Sequence, residues 1–75
     1  MGEVAEYLRS YAGLREVRGD REAAQVDTEH ARFAAVDRNG NEVKVRVKRS
    51  PEEGKLPIFA SSCGSEWNLI GGLSI

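Results

Sequence analysis

Arg32, Lys44, Arg46 and Lys48 alternate with apolar residues over positions 31–48. Side chains two residues apart on a strand share one face, so these four cations are expected to project together from one side of a sheet. A basic sheet face can hold phosphate groups. It can equally meet an acidic protein partner, or serve only to discourage strand-to-strand aggregation. Proteins that bind single strands add exposed aromatics on which bases stack. Phe33, the aromatic of this segment, is expected to face inward, which leaves the basic face without a stacking platform.

Other reactive groups are few. Cys63 lies among small residues, Ser61-Ser62-Cys63-Gly64-Ser65, where a thiol would be accessible. A reactive thiol needs a base, a cation or a helix start beside it. His30 is the one histidine, and nothing in the sequence places it near Cys63. One histidine and one cysteine fall short of a structural zinc set. Glu52 and Glu53 are adjacent in a turn, unlike a general acid/base pair. No glycine-rich phosphate loop is present. The expectation is therefore a non-enzymatic protein with no cofactor and no metal.

Two short resemblances can be set out. Cys63-Gly64-Ser65-Glu66-Trp67 is similar to the Cys-Gly-Ser-Cys-Trp segment of papain-like proteases over five residues. Glu66 occupies the place of that family's nucleophile, so the similarity implies no protease activity. Gly71-Gly72 is similar to the end of ubiquitin-like modifiers, but an early helix followed by strands does not match their strand-strand-helix order.

The elements that must position these residues follow from a chain of 75 residues with net charge −1, 40% hydrophobic and 31% charged. Such values suit a single globular domain over residues 1–75 and argue against disorder. Charge is uneven: residues 1–30 carry net −3, residues 31–50 net +4 and residues 51–75 net −2. No run of about 18 apolar residues marks a membrane span, and the N-terminus lacks the pattern of a signal peptide. The expected location is the cytoplasm, with Cys63 reduced.

Residues 3–12 form an amphipathic helix by spacing, with Val4, Tyr7, Leu8 and Tyr11 on one stripe. Gly13 is a natural stop, although Leu14 would extend the stripe to about residue 17. Residues 22–27 fit two readings: a strand with Ala24 and Val26 facing in, or a helix, given the propensity of Arg21–Gln25. The strongest pattern is a hairpin over residues 31–48, turning at Asp37-Arg38-Asn39-Gly40-Asn41. A three-residue loop pairs Ala35 with Val43, Phe33 with Val45 and Ala31 with Val47. A two-residue Asn39-Gly40 turn would pair Phe33 with Arg46 instead. Only the first gathers the apolar residues on one face. Arg32, Ala34, Lys44, Arg46 and Lys48, edged by His30, then share the outer face.

Ser50-Pro51-Glu52-Glu53-Gly54 reads as a capped single helical turn. Leu56–Ala60 reads as a strand, placed at an edge by Pro57. Residues 67–70 read as a last strand that Gly71-Gly72 breaks. The expected fold is α+β: one N-terminal helix packed on one face of a small antiparallel sheet of about four strands. The valines, Phe33, Ile58 or Phe59, and Trp67 would form the core with Val4, Leu8 and Tyr11.

So small a chain rarely builds a sufficient core alone, and one cysteine offers no internal disulfide. Oligomerisation is the remaining support. Not all of Tyr7, Tyr11, Trp67, Leu73 and Ile75 can be buried in a domain of this size, and exposed apolar patches mark interfaces. The leading expectation is thus an interaction or regulatory module acting as a homodimer or as a subunit of a larger protein. The alternative is a nucleic-acid-binding protein using Arg32, Lys44, Arg46 and Lys48.

Overall fold

A computed structural model describes residues 2–74; Ile75, one of the five interface candidates, lies outside the described residues. The element order is α1 (Gly2–Ser10), β1 (Arg15–Gly19), α2 (Arg21–Val26), β2 (His30–Val36), β3 (Glu42–Lys48), β4 (Lys55–Ser61) and β5 (Asn68–Ser74). The fold is α+β, as expected. Among the described residues, five strands rather than four form one antiparallel sheet in the order β1-β2-β3-β4-β5. No described helix is long and apolar enough to cross a membrane.

α1 ends where the glycine stop was expected. Gly13 adopts a left-handed φ of 69°, the backbone amide of Leu14 donates to Leu8 O at 3.0 Å, and Leu14 turns into the core. Tyr11, expected in that core, is 80% exposed. It falls just past the last helical residue, so the stripe that would bury it has ended. The helix does not extend to residue 17: Arg15–Gly19 is an irregular edge strand, bulged between Arg15 and Arg18.

Residues 21–26 are helical, so the strand reading fails. Asp20 caps the helix by accepting the amide of Ala23 at 3.2 Å. Val26 is exposed rather than facing in. Local propensity, supported by the Asp20 cap, outweighs the short alternation of Ala24 and Val26.

The hairpin takes the three-residue-loop register, with Ala35 opposite Val43, Phe33 opposite Val45 and Ala31 opposite Val47. Asp37 fixes the loop: its Oδ1 accepts the amides of Asn39 and Asn41, each at 2.9 Å, and Gly40 supplies φ 83°. The next connection is not helical. Glu52 and Lys55 form a bridge, and Glu53 and Gly54 take φ of 53° and 78°, the two left-handed residues of a tight hairpin turn.

β4 is an interior strand, contrary to expectation, with β3 on one side and β5 on the other. Its ladder with β3 runs from Ser61 to Ile58, so Pro57 lies beyond it and removes no bond from it. That local freedom, rather than an edge position, is what admits the proline. β5 likewise runs through Gly71-Gly72 instead of ending there.

The core joins Leu8 and Leu14 to Phe33, Ala35, Val45, Val47 and Ile58. Trp67 is absent from it. Phe59 pairs with Arg46 and therefore faces the opposite side, leaving Ile58 as the buried member of that pair.

Candidate interaction surface

The outer face brings Arg32, Lys44, Arg46 and Lys48 together, as the period-two pattern required. It also holds a network of partners. Asp20 and Asp27 flank α2 and reach this side of the sheet. Arg32 Nη1 donates to Asp27 Oδ2 at 2.8 Å, and His30 Nδ1 lies 3.1 Å from the same carboxylate. Lys44 Nζ is 3.0 Å from Glu42 and 3.8 Å from Asp20. Lys48 pairs with Glu52.

Arg46 alone of the four has no carboxylate partner among the described residues. Its guanidinium carbon stands 4.5 Å from the Trp67 ring centroid and 5.1 Å from that of Phe59. Arg32 is 5.0 Å from the same Trp67 ring. The Nε of Arg46 is buried without a hydrogen-bond partner. Two aromatics thus sit on the basic face, where none was expected. Phe59 was missed because Pro57, Ile58, Phe59 and Ala60 are all apolar, so no alternation showed which of them faced out; Trp67, expected in the core, precedes β5 between Glu66 and Asn68, where no alternating pattern assigns a face.

Asp27 is the anchor of this face, and no motif drew attention to it. Its side chain is 16% exposed. Partial burial alone would raise its pKa, but hydrogen bonds from Arg32 and His30 outweigh that and hold the carboxyl well below its usual range. The hydrogen bond from Lys44 likewise lowers Glu42.

Cys63 is exposed. Its Sγ lies 3.0 Å from Ser65 Oγ. That hydrogen bond is the main cause of a thiol pKa lowered to about 7, with further help from the backbone of Ser65 and Glu66 and from Ser61. His30 is engaged with Asp27 instead. Among the described residues, no group of three or more His, Cys, Asp or Glu side chains could hold a metal ion.

The interface candidates separate. Tyr7 packs half-buried against the core and Leu73 joins it from β5. Tyr11 is exposed, its ring 5.1 Å from that of Tyr7. Trp67 lies under the arginines of the outer face. The largest exposed apolar side chains near the last strand are Leu69, 66% exposed, and Ile70, neither singled out by sequence. Leu69 lines an open groove of about 720 Å³ together with Pro57, Phe59, Gly71, Gly72, Glu52, Glu53 and Lys55.

The two edges of the sheet differ. β1 carries Arg15, Glu16 and Arg18 and a bulge, devices that deter pairing with another chain. β5, Asn68–Ser74, carries no charged residue.

Comparison with protein families, with curated proteins and with solved structures finds no match to this chain.

Proposed function

We propose that the protein is a non-enzymatic interaction module that docks through its β5 edge and the groove beside it. One observation carries this reading: an uncharged outer strand with exposed Leu69 and Ile70, in a sheet whose opposite edge is charged and bulged. An extended segment added to such an edge gains main-chain hydrogen bonds, while the groove selects its side chains. The reading keeps the protein in the cytoplasm, where Cys63 stays a free thiol.

Nucleic-acid binding by Arg32, Lys44, Arg46 and Lys48 is the second reading. Phe59 and Trp67 beside Arg46 favour it. The carboxylates on Arg32, Lys44 and Lys48 oppose it, because they cancel the field that would attract phosphate.

Amide NMR spectra distinguish the two. A synthetic strand peptide of alternating valine and threonine should shift resonances of β5 and Phe59. A mixed-sequence oligonucleotide pool at low salt should leave residues 32–48 unmoved. Salt-sensitive shifts over residues 32–48, with none on β5, would reverse the assignment.

A further inference from the structure

We infer that the occupant of the β5 edge is the β5 strand of a second copy, paired antiparallel about a two-fold axis between Ile70 and Gly71. This rests on the edge-docking reading and specifies its partner.

The strand contains both halves of a self-complementary contact. Leu69 stands opposite Phe59 and Gly72 opposite Pro57, so both lie on the outer face. Leu69 projects into solvent, whereas Gly72 offers no side chain and forms part of the groove wall. A two-fold contact needs each copy to present both the projection and the recess it fills. Antiparallel pairing about that axis sets Leu69 of each copy against Gly72 of the other. It also sets Asn68 against Leu73, both of which face inward by their partners Ala60 and Leu56. Matched faces are the condition for a sheet to continue across an interface. Among registers that keep faces matched, this one pairs the longest run of β5.

Charge agrees with this geometry. β5 itself carries none, so the two strands bring no like charges directly opposite one another; the nearest carboxylates on the inner side, Glu3 and Glu6, belong to α1.

Sedimentation equilibrium of the full chain over rising concentration tests the proposal. The expected result is a monomer–dimer equilibrium with no larger species, because a two-fold contact closes on itself. Leu69→Lys should weaken the dimer at least about tenfold. Gly72→Ala should weaken it too, by partly filling the recess. A Cβ there meets Lys55 Cβ at 3.3 Å and Cδ at 3.4 Å, so the urea midpoint of Gly72→Ala is measured beside its dimerisation, and Leu69→Lys, at an exposed side chain, tests the contact without touching the core. A chain that stays monomeric at millimolar concentration overturns the self-pairing. So does a dimer indifferent to Leu69→Lys and Gly72→Ala. If the valine–threonine peptide still binds β5 of that monomer, edge docking stands and only the partner is wrong. If it does not, both fail.

Discussion

Leu69 and Gly72 stand on the same face of β5 although their positions differ by three. Strict alternation would set them on opposite faces. The irregularity between the pairs Ile58–Gly71 and Phe59–Leu69 leaves Ile70 without a partner on β4, and this extra residue shifts the alternation by one. The bulge therefore creates the pairing of projection and recess on a single strand. An unbulged β5 would turn one of the two into the core.

Gly71 is required for a different reason. It faces α1, and a Cβ there would overlap the Tyr7 hydroxyl and lie 3.0 Å from Tyr7 Cζ. Gly71→Ala should destabilise the fold by about 1–3 kcal/mol, measured by urea denaturation. Tyr7→Phe in the same chain should recover part of the loss by removing the hydroxyl. Full stability of Gly71→Ala alone would show that α1 does not press on β5.

Asp27 should make stability depend on acid. Its folded pKa lies below the unfolded value near 4, so the unfolded chain binds the extra proton. The contribution is complete above about pH 5 and is lost progressively as pH falls toward the folded pKa. Asp27→Asn should cost about 1–3 kcal/mol near neutral pH, and its deficit should shrink at about pH 3. A deficit of equal size at both pH values would exclude the ionised Asp27 as the source.

Cys63 should alkylate with a rate midpoint near pH 7, following the fraction of thiolate. Ser65→Ala removes the principal hydrogen bond and should move that midpoint upward. An unchanged midpoint would assign the lowering to the backbone instead.

Glu53 holds a left-handed backbone in the turn before β4, a conformation that asparagine tolerates better. Glu53→Asn should stabilise the chain by about 0.5–1 kcal/mol, read as a higher urea midpoint. A loss of stability would mean that the Glu53 side chain contributes more than its backbone costs.

The sequence made the hairpin legible down to its register. Alternating valines and cations leave one arrangement that buries the first and exposes the second. The N-terminal helix and its stop were legible because Val4, Leu8 and Gly13 mark a face and an end. Three features escaped for physical reasons. β1 has a single half-buried apolar residue, Val17, so it carries no periodic signal and forms by pairing with β2. Gly71 and Gly72 read as a break, yet Gly71 is needed for the approach of Tyr7. Phe59 was hidden in a run where every residue is apolar, and Trp67 lies just before β5, outside any alternating pattern. Of the candidate surface, the four cations were evident, but the neutralisation of Arg32, Lys44 and Lys48 by Asp20, Asp27, Glu42 and Glu52 depends on tertiary placement. Leu69 and Gly72 acquire meaning only from the bulge between them.

The self-pairing of β5 is tested most directly by NMR on a mixture of isotope-labelled and unlabelled chains, filtered for contacts between copies. Cross-copy contacts between the Leu69 methyls and the Gly72 α-protons should appear. Cross-copy contacts elsewhere without these, or none at all at millimolar concentration, would contradict it.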